Sequence, residues 1–187
     1  MHQFTDCLPW RIRNLLFMRY LKRRSIAFFS VPNFSGQWPY INNEGTIIIG
    51  ANCSFSSIRL RQCIIVRKNA ALEIGDSSFV NDGVYICASR SITIGHHAKI
   101  GDMVRIYDTD FHEVTPDTPI KRMPVSIGDN VWIGANSIIL AGAMIGSHSV
   151  IGAGSIVTGE IPASSLAAGS PARVIKFLNV PDGWIRK

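Results

Sequence analysis

From Ile127 onward the chain sets an aliphatic residue at every sixth position, in the hexads IGDNVW, IGANSI, ILAGAM, IGSHSV, IGAGSI and VTGEIP. That period is neither the 3.6 residues of an amphipathic helix nor the simple alternation of a half-buried strand. Short repeats of this kind predict a solenoid, in which each unit buries its apolar side only against its neighbours. The register also runs backwards, through Ile106, Ile100 and Ile94 and through Ile92, Ile86, Val80 and Ile74. Four residues after each aliphatic, small or β-branched residues recur, as at Val104, Val131, Ser137, Ala143 and Ser149, and make a second inward set. Glycine follows the aliphatic in many hexads and is expected to relieve the backbone at tight corners between short strands. Three hexads then form one triangular coil, and coils stack about 4.8 Å apart through parallel ladder bonds.

The repeat breaks in three places. Between Ala51 and Ala71 the hexads are ragged, so the first coils are expected to be imperfect. At Arg90 a charged residue takes the small inward position, and the register then advances by two, from Ile92 to Ile94. The longest break begins where Asp110 takes a small inward position and His112 stands where the next aliphatic belongs; the repeat resumes at Val125-Ser126-Ile127-Gly128. An insertion at a coil corner cannot pair with the ladder, so residues 108–124 are predicted to protrude as a loop, the kind of segment that carries function. A histidine held in one tautomer by a neighbouring acceptor can take a proton from a hydroxyl or an amine. Asp108 and Asp110 are the nearby acceptors, and Asp110 is the expected orienter of His112. The competing reading of His112 is a solvated loop residue.

Before the solenoid, residues from about Pro9 to Phe29 combine Trp10, Ile12, Leu15, Leu16 and Phe17 with a basic cluster, Asp6 lying near the start of the predicted helix. Basic side chains in its later turns suit the helix dipole. Two readings stand: a helix packed on the end of the solenoid or on a neighbouring subunit, and a basic amphipathic helix lying on an anionic membrane surface. The formal charge of +6 is concentrated here, with six basic residues up to Arg24 against Asp6 alone. The remaining 13 basic and 12 acidic residues leave the body nearly neutral, which argues against a nucleic-acid-binding face. The four cysteines, Cys7, Cys53, Cys63 and Cys87, have neither zinc-finger nor CxxC spacing and read as thiols of a reducing compartment. No signal peptide and no run long enough to span a bilayer is expected, so the cytoplasm is the expected location, with the inner face of the membrane as the alternative implied by the helix.

The residues from Ile92 to Lys176, with Thr109-Asp110-Phe111-His112, IGDNVWIGANSIILAGAMIG and AAGSPARVIK, resemble the hexapeptide-repeat acetyltransferases. They are most similar to bacterial polysaccharide and sugar O-acetyltransferases related to the galactoside, maltose and nodulation-factor enzymes. The resemblance implies a left-handed parallel β-helix, an all-β solenoid. It is expected over residues 31–162, after an N-terminal helical segment (1–30) and before a cap turn and short C-terminal helix (163–187).

The same resemblance implies acetyl transfer from acetyl-CoA to a sugar hydroxyl, with His112 as general base and no metal. It gives Trp132 a wall of the acceptor or pantetheine channel, and the backbone amide of Ala135 the thioester oxyanion, a placement acyl transfer requires. Asn81 aligns with an acceptor-binding asparagine. Gly169, Ser170 (asparagine is usual there) and Arg173 meet the nucleotide end of coenzyme A, where a guanidinium grips phosphate through two bonds. A homotrimer with sites between subunits is implied as well. The alternatives are an amino-sugar N-acetyltransferase, a zinc-dependent enzyme like the γ-type carbonic anhydrases and a non-catalytic solenoid. The spacing of His96, His97, His112 and His148 does not match the three-histidine zinc site of the second.

Overall fold

The hexads form the parallel β-helix their register predicts. The computed structural model describes residues 10–187; Asp6 and Cys7 lie outside the described residues. Among these, three sheets of parallel strands form the sides of a prism, each turn of chain visiting all three in order. On the first sheet one inward column runs Ile49, Ile74, Ile94, Ile127, Ile145 and Ile161. On the third it runs Ile41, Ile64, Ile86, Ile106, Ile139 and Val157. All of these side chains are buried, and each contributes about 1.5–3 kcal/mol by leaving water.

Coil length tracks the regularity of the sequence. Ile127 stacks on Ile145, eighteen residues later, whereas Ile74 stacks on Ile94, twenty residues later. The difference arises on the third sheet, where the early strands Cys63–Val66 and Tyr85–Ala88 carry an additional inward residue, Val66 and Ala88. The ragged stretch between Ala51 and Ala71 is nonetheless built into the stack. Buried Gln62 donates its side-chain amide to the carbonyls of Val80, Ser56 and Asn81. Asp82 accepts the N–H groups of Ile58 and Arg59 and the Ser56 hydroxyl. Burial works to raise the Asp82 pKa, but the donors from Arg59, Ile58 and Ser56 outweigh it and hold the carboxyl below its ordinary value.

The glycines act differently from the expectation. Left-handed backbone at the corners falls on residues such as Ser77, His97, Asn130, Asn136 and His148, and not on the glycines that follow the aliphatics. The glycines that follow the aliphatics are needed instead for close approach of the coils: a Cβ on Gly75 would lie 2.6 Å from the Gly95 carbonyl carbon, and one on Gly128 2.6 Å from the Ser147 nitrogen.

The two ends are closed by different elements. The helix α1 (Trp10–Arg23) ends earlier than its apolar composition suggested, and Ile26–Phe28 already forms the outermost strand of the first sheet. Phe17 and Leu21 are buried on the prism end, Phe17 packing on Phe34 and Trp38, so the helix covers what would be an open hydrophobic column. A second stripe, Ile12, Leu15 and Leu16, faces outward. At the other end the expected short C-terminal helix is absent. Ala172–Phe177 folds back antiparallel on Ser165–Gly169. The segment ARVIKF carries adjacent β-branched Val174 and Ile175, and the free edge of the second sheet offers backbone partners that a helix would leave unpaired.

Candidate active site

The loop that holds His112 leaves the prism at the corner between the third and first sheets. Its neck is a short antiparallel pinch: Met123 N–H donates to the Asp108 carbonyl, Thr109 bridges Arg122, and Asp110 N–H donates to the Lys121 carbonyl. The inward residue at the neck is Asp108, not Asp110. Asp108 is fully buried, and its carboxylate accepts the N–H groups of Ser89 and Arg90, each at 2.7 Å. Asp110 is exposed. The expected inward register of Asp110 fails because the third-sheet sides keep their additional inward position two residues after the aliphatic, so Asp108 follows Ile106 as Ala88 follows Ile86. Phe111 then turns back with φ 63° and sets its ring edge-on to Tyr107, which leaves His112 projecting into solvent. Neither Asp108 nor Asp110 forms a hydrogen bond or ion pair with the His112 ring, and among the described residues no carboxylate orients it.

Asn81 and Trp132 come together elsewhere, on the outer face of the second sheet. Trp132 pairs in register with Lys99, and Lys99 with Phe79. These side chains, with Asn81 and Gly101, line a cleft of about 330 Å³. Ala135 follows at the corner between the second and third sheets, and its N–H has no hydrogen-bond partner. A Cβ on Gly101 would sit 2.8 Å from that nitrogen, so glycine there keeps the approach to the amide open. The same steric relation recurs between Gly134 and Ala153; the open amide is therefore a property of the repeat, and Trp132 beside it is what makes this one special.

Gly169, Ser170 and Arg173 sit in the turn between the last two strands of the second sheet, Gly169 with φ +105° and Arg173 exposed with its guanidinium donating to the Ala172 carbonyl. The sheet order places this turn on one side of the Trp132 strand and Asn81 and Lys99 on the other.

The sequence reading missed the last residues. After the turn at Pro181–Gly183 the chain returns to the second sheet, and the buried Asn130 side chain receives it, accepting the Arg186 N–H and donating to the Trp184 carbonyl. The Arg186 guanidinium lies 5.9 Å from the Trp132 ring centre and 4.9 Å from that of Trp184, and it lines the cleft with Asn81. Burial lowers its pKa, although a guanidinium stays charged at any physiological pH. The signal in the sequence was a Pro-Asp-Gly turn followed by Trp-Ile-Arg.

The remaining histidines and cysteines serve the scaffold. His96 Nδ1 accepts the Asp76 N–H, and His148 Nδ1 meets the Asn130 side-chain amide. Among the described residues no cluster of three His, Cys, Asp or Glu side chains is placed to hold a metal. Burial raises the thiol pKa of Cys53, Cys63 and Cys87, which disfavours the nucleophilic thiolate.

Comparison with known proteins identifies the repeat and the fold. The family described as Bacterial transferase hexapeptide (six repeats) matches residues 124–159. WbbJ of Escherichia coli (strain K12), named as a lipopolysaccharide biosynthesis O-acetyl transferase, is 35% identical over 75% of this chain and 76% of its own length. Galactoside O-acetyltransferase of the same organism is 40% identical over 59% of this chain and 56% of its own, so the chain spans just over half of that relative. The hexapeptide-repeat acetyltransferase VCA0836 of Vibrio cholerae O1 biovar eltor, solved with acetyl coenzyme A, superposes with a TM-score of 0.61 at 26% identity, covering 88% of this chain and 79% of that one. The chain belongs to the hexapeptide-repeat acetyltransferase family.

Proposed function

We propose that the protein transfers acetyl from acetyl-CoA to a sugar hydroxyl of a cell-surface polysaccharide or its precursor. The observation that carries this reading is the open Ala135 amide at the corner that follows the Trp132 strand, whose Trp132 walls the neighbouring cleft with Asn81. A donor so placed stabilises the oxyanion that forms when a hydroxyl attacks a thioester. His112 takes the hydroxyl proton as the oxygen attacks the carbonyl carbon. The tetrahedral intermediate collapses with cleavage of the carbon–sulfur bond, and His112 returns the proton to the departing thiolate. Gly169, Ser170 and Arg173 hold the phosphates of coenzyme A, whose arm then runs across the strands toward Ala135.

His112 stands at the corner between the third and first sheets, and the Trp132 cleft lies on the face of the second. A complete site therefore joins the loop of one copy to the cleft of another, in the homotrimer that the resemblance to the acetyltransferase family implies. The protein acts in the cytoplasm. The outward stripe of α1, with Arg19, Lys22 and Arg23 exposed beside it, rests on the anionic inner face of the membrane. Among the described residues no helix is long and apolar enough to cross a membrane.

The test is His112→Ala, assayed by thiol release from acetyl-CoA with a panel of glycans. Turnover is expected to fall by roughly 10²–10⁴-fold, the range general-base catalysis supplies, with coenzyme A binding retained. Near-normal turnover would refute the assignment.

A further inference from the structure

The Trp132 cleft is cationic in a way that the acetyl-transfer reading does not require. Lys99, Arg186 and Lys187 line it, and no Asp or Glu side chain does. Arg186 is not a loose surface cation. The buried Asn130 fixes its backbone, Trp132 and Trp184 flank its guanidinium, and its Nη2 reaches the His148 carbonyl at 3.4 Å. Its Nε is buried without a hydrogen-bond partner. Ordering a long side chain and partly desolvating its charge is costly. A bound anion offsets that cost, since a guanidinium binds a carboxylate through two charge-assisted bonds.

We propose that the cleft receives an acceptor sugar bearing a carboxylate, and that Arg186, delivered by the returning C-terminal segment, selects for it. This rests on the acetyl-transfer reading above and names its substrate class. The order of strands separates the carboxylate from the other anions in the reaction, the phosphates of coenzyme A. Along the second sheet the Gly169 turn lies on one side of the Trp132 strand, and the strands bearing Lys99 and Asn81 lie on the other. Coenzyme A reaching Ala135 from that turn stops short of the cleft. The volume of about 330 Å³ suits one sugar residue and is too small for a nucleotide with its pantetheine arm. Lys99 adds charge, and Arg186 supplies the geometry.

Calorimetric titration of the whole protein tests this with two probes, digalacturonate and its uncharged counterpart galactobiose, at saturating coenzyme A. The acidic sugar is expected to bind about tenfold or more tighter than the neutral one. Arg186→Gln is expected to erase most of that preference while the neutral sugar and coenzyme A bind within about twofold of wild type. Lys121→Gln with Arg122→Gln, which removes the same kind of charge from the exposed loop, is expected to preserve the preference. Three results overturn the proposal: wild type showing no preference for the acid, including no binding of either sugar; Arg186→Gln retaining the preference; or Arg186→Gln weakening coenzyme A instead, which would assign the cation to phosphate. Preference for the acid without turnover in the wild type would fault the catalytic reading and leave Arg186 in place.

Discussion

Asp108→Ala is the sharpest test of how the scaffold holds its loop. The carboxylate is fully buried and accepts two backbone N–H groups at 2.7 Å, from Ser89 and Arg90. Removing it leaves both donors without an acceptor, and an orphaned buried donor costs about 1–3 kcal/mol. Ser89 is half-buried and Arg90 exposed, so water reaches part of the vacated space and the loss falls near the low end, about 2–3 kcal/mol in total. For a domain of this size that lowers Tm by roughly 5–10 °C in a thermal melt. Asp108→Asn keeps one acceptor oxygen and turns an N–H toward the second donor, so it is expected to fall between the alanine variant and wild type. Because the Asp108 carboxylate ties the base of the loop to Ser89 and Arg90 of the preceding coil, proteolytic nicking within residues 109–124 is expected to quicken in the alanine variant, with turnover falling further than stability explains. A melting temperature within about 2 °C of wild type, together with unchanged nicking, would refute the anchoring role.

Asp82 predicts a pH dependence. Its folded-state pKa lies below the ordinary value, so its contribution to stability is present in full above the unfolded carboxylate value of about 4 and is lost as the pH falls through the folded value. In urea titrations Asp82→Asn is expected to be about 1–3 kcal/mol less stable than wild type at pH 7 and to converge with it as the pH falls through the lowered folded value; parallel curves would contradict this. For α1, replacing Ile12, Leu15 and Leu16 with serine is expected to abolish flotation with anionic liposomes while leaving the melting temperature within about 2 °C, since all three are exposed. Retained flotation would rule out the membrane contact.

The repeat was legible in the sequence because a solenoid is locally determined: each hexad meets only its neighbours, so period and register are enough to follow the coils up to Ile106 and again from Ile127 without knowing how the loop runs. The errors lie where the rule of the repeat changes. The third-sheet sides are two residues longer in the early coils, and that small change moved the inward position from Asp110 to Asp108. The corner glycines were right in place and wrong in cause, because the steric demand comes from the adjacent coil and not from the backbone conformation of the glycine. Residues 163–187 carry no period, so a helix and a returning strand were equally compatible with composition. Arg186 entered the cleft through a long-range contact with Asn130 that no local pattern encodes. His112 could be singled out as an exception to the repeat, but its working partners lie on another corner, and a single chain's sequence does not say which copy supplies them.

The central claim is that the loop of one copy serves the cleft of another, and mixing two inactive variants tests it most directly. His112→Ala removes the base and spares the cleft; Asn81→Ala with Trp132→Ala removes the cleft and spares the base. Co-expressed with different tags and purified as mixed trimers, they are expected to regain about a third of wild-type turnover, since one of the three sites in a mixed trimer pairs an intact loop with an intact cleft. Mixed assemblies as inactive as their parents would contradict the account.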